Sequence, residues 1–365
     1  MSEINKMDVI SYLNEIIEPS SKKDLISLGA VKDIIISGDK INLLIELPTT
    51  AQHIKDKIKN DVINLLKNKI SNDIEVKIDM AVKGASQGPP KQSGILDGVK
   101  STIAVASGKG GVGKSTVAVN LAVELANQGF KVGLIDADIY GPSIPLMLGV
   151  NQKPKIIQDE SGTKITPVEH LGVKLMSIGF LIDDENPVIW RGPMASGAIK
   201  QFLTDVVWGE LDYLLFDMPP GTGDVQLTLV QTIPLTGSII VTTPQDVSLI
   251  DARKGLKMFN RVNVPVFGIV ENMSYFVAPD TGNTYDIFGT GGGEKLADEL
   301  ETSYLGGIPI EPKVREGGDT GNPIVKAHPE SESAKMFSQI AKNLAERISS
   351  VESGSGNVEI IMSDN

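Results

Sequence analysis

Gly108-Lys109-Gly110-Gly111-Val112-Gly113-Lys114-Ser115 fits the pattern G-x-x-x-x-G-K-[ST]. It follows an apolar run, Thr102 to Ala106, and opens an apolar helical stretch, Ser115 to Gln128. Strand, glycine-rich loop and helix in that order are the context in which such a loop wraps phosphate. Glycines let the backbone curl so that its N–H groups point at phosphate oxygens with no Cβ in the way. On this reading Gly108, Lys109, Gly110, Gly111, Val112, Gly113, Lys114, Ser115 and Thr116 form a nucleotide cradle, with ATP and Mg²⁺ as the expected cofactors. Lys114, in a solvent-facing position, reaches the β- and γ-phosphates. Ser115 places its hydroxyl on Mg²⁺, and the following helix adds its positive N-terminal dipole.

Working outward, short apolar runs alternate with helical patterns. Lys131 to Ile135, Tyr213 to Phe216, Ser238 to Thr242 and Val266 to Val270 read as strands buried on both faces, like Thr102 to Ala106. Ser196 to Val207 and Ser248 to Arg261 read as helices between them. The alternation predicts an α/β domain with a doubly wound, mostly parallel sheet over residues 99–350.

Two of these strands end in acid. Lys131 to Ile135 runs into Asp136-Ala137-Asp138-Ile139-Tyr140-Gly141-Pro142-Ser143, and Tyr213 to Phe216 into Asp217-Met218-Pro219-Pro220-Gly221-Thr222-Gly223-Asp224. Carboxylates at strand C-termini lie on the ligand edge of an open sheet. A single such Asp more often caps a helix. Two of them in one sheet with a phosphate loop point instead to Asp217 as a Mg²⁺ ligand through water and Asp138 as a catalytic residue beside Lys109 and Lys114.

Upstream, Lys83 to Gly94 has almost nothing to bury and reads as a tether, with 83–98 as the linker. Residues 1–82 before it follow the order αββαβ. Val9, Tyr12, Leu13, Ile16 and Ile17 have helical spacing that stops before Pro19. Val31 to Ile36 and Ile41 to Leu47 form a hairpin around Ser37-Gly38-Asp39-Lys40. Ile54, Ile58, Val62, Leu65 and Leu66 mark a second helix, and Ile74, Val76 and Ile78 a last strand. This predicts a small α+β domain. Residues 351–365 are polar and acidic and read as a disordered tail.

The 365 residues carry 34 Lys+Arg against 46 Asp+Glu, a net charge of −12, which disfavours nucleic acid and anionic membrane as partners. There are no cysteines, which excludes disulfides, thiol nucleophiles and thiolate metal sites within the chain. Met1–Met7 lacks the basic-then-apolar order of a signal peptide, and no apolar run reaches a membrane span, so a cytoplasmic location is expected.

Lys109 adds specificity. A lysine directly after the first glycine is the "deviant" signature of the dimeric ATPases that include MinD, ParA and the nitrogenase iron protein. That resemblance implies a homodimer in which Lys109 reaches the partner's nucleotide. Ser107 to Asn120, Asp136 to Ser143, Trp190-Arg191-Gly192-Pro193-Met194, Phe216 to Asp224, Thr243-Pro244-Gln245-Asp246, Glu271-Asn272-Met273-Ser274-Tyr275 and Ile287-Phe288-Gly289 together resemble the Mrp/ApbC group of iron–sulfur cluster carrier ATPases. Glu18-Pro19, Ser27-Leu28-Gly29 and Val31-Lys32-Asp33 are similar to the small domain that often precedes that ATPase. The resemblance implies iron–sulfur cluster assembly or transfer, with assembly proteins or client apoproteins as partners. It also implies that Asn272 reads the adenine edge and that Pro309 to Pro312 close the base pocket.

One departure stands out. The resembled group commonly carries C-x-x-C after the Ser-Tyr-Phe stretch, where this chain has Ala278 and Thr281. The cysteine often found in the small domain is replaced by Gln52. Neither methyl nor hydroxyl replaces thiolate on iron. His53, His170 and His328 fit no metal spacing. An iron–sulfur cluster is therefore implied by resemblance alone. Alternative readings are a positional ATPase like MinD or ParA and a nucleotide-gated scaffold with negligible turnover. The acidic stretch Val358 to Asn365 disfavours the first.

Overall fold

The computed structural model describes residues 6–17, 23–37, 40–47, 52–71, 74–82, 96–159, 162–181 and 192–352. Chain contacts divide it into two compact units, Met1–Gln87 and Gly88–Asn365.

The smaller unit runs α1 (Lys6–Leu13), β1 (Val31–Ser37), β2 (Lys40–Leu47), α2 (Gln52–Lys69) and β3 (Glu75–Val82). Strand β1 pairs antiparallel with β2, and β3 joins β2 in parallel. Ile41, Leu43, Ile45 and Leu47 alternate inward along β2, against Ile58, Val62 and Leu66 at helical spacing on α2. The first helix is shorter than its spacing predicts. It stops at Leu13, and Ile17 is 61% exposed in a bridge with Asp24. The physical reason is a competing local structure: the Leu25 N–H donates to the Ile16 carbonyl, while Asp24 Oδ1 accepts the N–H groups of Ile26 and Ser27. Gly38 and Asp39 of the hairpin turn lie outside the described residues, as do the side chains of Gln52, His53 and Ile54.

The larger unit begins β4 (Val99–Ala106), α3 (Lys114–Asn127), β5 (Val132–Asp136), α4 (Ile144–Met147), β6 (Lys155–Asp159), β7 (Gly162–Thr166), β8 (Val168–His170) and β9 (Val173–Ser177). It continues α5 (Gly192–Thr204), β10 (Leu211–Asp217), α6 (Asp224–Thr232), β11 (Gly237–Thr242), α7 (Asp246–Arg261), β12 (Val266–Val277) and β13 (Thr284–Tyr285). Last come α8 (Gly292–Glu299), β14 (Tyr304–Ile310), α9 (Pro312–Thr320), α10 (Ile324–Ala327) and α11 (Glu332–Glu352). Among the described residues the main sheet has nine strands in the order β13-β12-β11-β4-β10-β5-β9-β8, with β14 also on β12. Every pair is parallel except β12–β13 and β8–β9 at the margins. This is the expected α/β architecture.

Burial on both faces explains the unbroken apolar strands. On one side Val105, Leu134 and Leu215 pack with Val117 and Leu121 of α3 and Phe337 of α11. On the other, Ala104, Ile135 and Phe216 pack with Phe202 of α5, Leu229 of α6 and Phe259 of α7. Leu96–Gly98, read from sequence as the end of the linker, are part of this body. Leu96 packs on the second cluster, and the Gly98 carbonyl accepts the Leu211 N–H. Residues 83–95 and the tail from Ser353 lie outside the described residues, while Val351 and Glu352 complete α11.

Candidate nucleotide site

Strand β10 inserts between β4 and β5, and its register decides the site: Asp217 is paired with both Val105 and Asp136. The strand end that launches the phosphate loop and the two acidic strand ends therefore lie side by side on the carboxyl edge of the sheet. The loop itself is held by backbone bonds. The Gly221 N–H donates to the Ser107 carbonyl, the Met218 N–H to Val105, and the Ala137 N–H to Asp217. Ser107 Oγ donates to the Lys109 carbonyl at 2.9 Å.

Two glycines are required here. Gly113, at φ 81°, stands at the N-cap of α3, and a Cβ on it would come within 2.1 Å of Asn272 Nδ2. Gly108 packs so closely on α7 that a Cβ would fall 2.1 Å from the Asp251 carbonyl.

Lys114 is not solvent-facing, as the sequence alone suggests, but 5% exposed. Its Nζ lies 2.6 Å from Asp217 Oδ1 and 3.4 Å from Asp138 Oδ2. Ser115 Oγ donates to the other Asp217 oxygen at 2.6 Å. Burial works against the lysine charge, but Asp217 and Asp138 outweigh it and hold its pKa above the ordinary value. Burial pushes the Asp217 carboxyl up, against the pull of Lys114 and Ser115. Asp138 also accepts the Tyr140 N–H at 3.1 Å.

The structure brings in a third acid, Asp136, for which the sequence pattern predicts no role. Asp136 is wholly buried and accepts Ser177 Oγ at 2.9 Å and the Ile144 N–H at 3.2 Å. Burial, then the neighbouring Asp217 charge, raises its pKa to about 7. It anchors the start of α4 and so fixes the loop carrying Asp138. Its place as the first acid of Asp-x-Asp was the available signal. Ser177, at the end of β9, had none.

Gly110 and Gly111 are exposed at the tip of the loop, Val112 is buried, and Thr116 follows on the first turn of α3. Lys109 is half-buried and makes no ion pair among the described residues. Asn272 Nδ2 donates to the Val112 carbonyl at 2.9 Å, so it braces the loop. Asn272 also lines a cavity of about 420 Å³ beside Gly113 and Thr116, walled by Met147, Pro309 and Val314. Pro312 starts α9 rather than lining it. Trp190 and Arg191 lie outside the described residues.

These features fit nucleotide and Mg²⁺: a loop closed to side chains, a lysine, a hydroxyl and a carboxylate converging, and a cavity roomy enough for a base alongside. Among the described residues no group of three or more His, Asp or Glu is placed to hold a metal by itself. The hairpin tip after β12 does not fit an iron–sulfur cluster. Ala278 is buried, its N–H donates to the Asn283 carbonyl, and Thr281 Oγ1 accepts the Asn283 N–H. His170 is exposed, and His328 stands 3.6 Å from Glu330.

Comparison with known proteins agrees with this geometry. The family described as NUBPL iron-transfer P-loop NTPase matches residues 98–345, and a family described as iron-sulfur cluster assembly protein matches residues 6–78. The chain is 49% identical over 344 residues to a protein of Synechocystis sp. named iron-sulfur cluster carrier protein, covering 93% of this chain and 97% of that one. A protein of the same name from Escherichia coli is 46% identical over 332 residues, covering 90% and 89%. Among solved structures it is similar to an Archaeoglobus fulgidus nucleotide-binding protein in complex with ADP, at TM-score 0.58 and 41% identity, covering 66% of this chain and 93% of that one. The Pyrococcus furiosus cell division ATPase MinD matches at TM-score 0.53 and 26% identity, covering 67% and 98%. With more than half its length matched and relatives this similar, the chain belongs to the NUBPL-type iron-transfer P-loop NTPases, in the carrier branch that bears an iron–sulfur assembly domain at its N-terminal side.

Proposed function

We propose that this chain binds Mg–ATP in the cradle Gly108–Thr116, hydrolyses it slowly as a homodimer, and works in the assembly or transfer of iron–sulfur clusters. The observation that carries the reading is the convergence of Lys114, Ser115, Asp138 and Asp217 at one loop. When bound, Mg²⁺ would neutralise charge on the β- and γ-phosphates, held by Ser115 and by Asp217 through water. The N–H groups of Gly110 to Gly113 and the Lys114 ammonium bind the phosphates. Asp138 orients the attacking water, and Lys109 meets the partner protomer's nucleotide. Asn272 and Pro309 border the base. The cytoplasm is the expected location; among the described residues no helix is long and apolar enough to cross a membrane.

The cluster is cargo in this scheme, and the chain offers it no thiolate. Soft ligands must then come from the assembly proteins or clients between which the cluster passes. Two measurements on the purified full chain test the proposal. Phosphate release from Mg–ATP should rise in specific rate with protein concentration; a concentration-independent rate from a monomer overturns the Lys109 assignment. Iron and sulfide counting after anaerobic reconstitution should find little bound cluster. Stable, stoichiometric cluster without added thiol overturns the partner-held cargo.

A further inference from the structure

We propose that Lys114 is a resident counter-ion of the acidic pocket that must be traded for a divalent cation when nucleotide binds, so that the chain itself rejects metal-free nucleotide. The inference rests on the reading of Lys114 as phosphate ligand and Asp217 as metal ligand, and concerns how the two are linked.

The contacts set the terms. Both Asp217 oxygens are committed, one to Lys114 Nζ and one to Ser115 Oγ. Asp136, Asp138 and Asp217 stand together with Lys114 as their one close cation, since neither Lys109 nor any other lysine or arginine among the described residues pairs with them. A phosphate that takes the Lys114 ammonium leaves a wholly buried carboxylate uncompensated and brings further negative charge to three acids. Sharing the three ammonium hydrogens between Asp217 and phosphate would not alter that count. A divalent cation at Ser115 and Asp217 offsets both deficits, while the same cation alone must displace Lys114 with no phosphate to receive it. Metal and nucleotide are thereby coupled, and the coupling is reciprocal by thermodynamic linkage. Asp217 is thus a brake on metal-free binding as well as a metal ligand. Removing its charge should free Lys114 for phosphate.

The test is calorimetric titration of the full chain with a non-hydrolysable ATP analogue, in Mg²⁺ and in EDTA. Wild-type protein should bind about tenfold or more weakly in EDTA. Asp217→Asn should narrow that gap from both sides, binding the analogue more tightly in EDTA than wild type does and more weakly in Mg²⁺. Mn²⁺ alone should bind wild type weakly and gain, on adding the analogue, the same factor that Mn²⁺ confers on the analogue when it replaces Mg²⁺ in the titration. Equal wild-type affinities with and without metal overturn the inference, as does a folded Asp217→Asn protein with no gain in EDTA. If Asp217→Asn does not fold, Asp138→Asn supplies the EDTA arm alone, because that carboxylate also faces Lys114 at 3.4 Å but is not assigned to the metal: it should bind the analogue more tightly in EDTA than wild type does, and no gain there overturns the inference. Failure of wild type to bind the analogue under either condition would instead overturn the nucleotide site itself.

Discussion

Strand β10 carries an aspartate near each end, and each is bonded to a lysine at nearly the same distance. Asp217, at the carboxyl end, is 2.6 Å from Lys114; Asp212, at the amino end, is 2.7 Å from Lys100. The surroundings differ completely. Lys114 and Asp217 are buried, whereas the Lys100 side chain is 76% exposed. Hydrogen bonds from Lys100 and from the Lys131 backbone hold the Asp212 carboxyl below its ordinary pKa, while burial lifts Asp217 despite its lysine. Geometry alone therefore does not mark a site. What marks the carboxyl end is charge kept in the protein interior, where burial makes it costly. Cavity size does not mark it either. A cavity of about 640 Å³ at the amino edge, lined by Lys131, His170 and Lys174, is larger than the 420 Å³ one beside the phosphate loop.

The largest expected difference between the two ends is in turnover. Lys114→Ala removes the cation that faces the acids and that is proposed to bind the phosphates. It should lower ATP hydrolysis by about 10²–10³-fold or more, measured as phosphate release by protein whose circular dichroism matches wild type. Wild-type turnover in a folded variant would reduce the carboxyl end to the standing of the amino end.

A smaller effect separates the ends by pH. Asp136 has a folded pKa of about 7 against an ordinary 3.8, so folding favours its neutral form. Its contribution to stability is complete below the unfolded value and fades as pH rises through about 7. Asp136→Asn does not titrate and keeps an acceptor for Ser177 and Ile144. Denaturant unfolding should show wild type losing about 1–2 kcal/mol relative to the variant between pH 5.5 and 8. A gap that does not change with pH would mean that Asp136 is ionised throughout.

How much of this was legible follows from what each signal depends on. The phosphate loop and the strands beside it are local patterns: glycines at fixed spacing, and apolar runs that need no partner to be recognised. Asp217 and Asp138 were legible as strand ends. The neighbourhood of Asp217 and Asp136 was not, because it depends on β10 inserting between β4 and β5, a pairing that no local spacing encodes. Burial of Lys114 was missed for the same reason. The ribbon β6–β7 was also missed, since Ile156 and Ile157 are adjacent and both exposed, giving no alternation to read. The apolar run Val266 to Val270 predicts too short a strand, because β12 continues through a bulge, where Met273 sits at φ 55°, to pair with β13. The spacing predicts too long a first helix, because Ile16 and Ile17 keep its period after the backbone has turned away.

The smallest expected effect lies at the amino end. Asp212→Asn loses the charge that faces Lys100 but keeps an oxygen for the Lys131 N–H. Because Lys100 is largely in water, screening leaves the pair worth within about 1 kcal/mol. The sign with pH is opposite to that of Asp136. A carboxyl with a lowered folded pKa adds stability above its unfolded value and loses it as pH falls through the folded one. The variant should therefore trail wild type slightly at pH 7 in denaturant unfolding, match it at the most acid pH at which both fold, and close the gap at pH 7 when salt is raised to 1 M. Its Mg–ATP turnover should equal that of wild type. A loss of turnover at Asp212 would tie the amino edge to the chemistry and break the contrast between the two ends of β10.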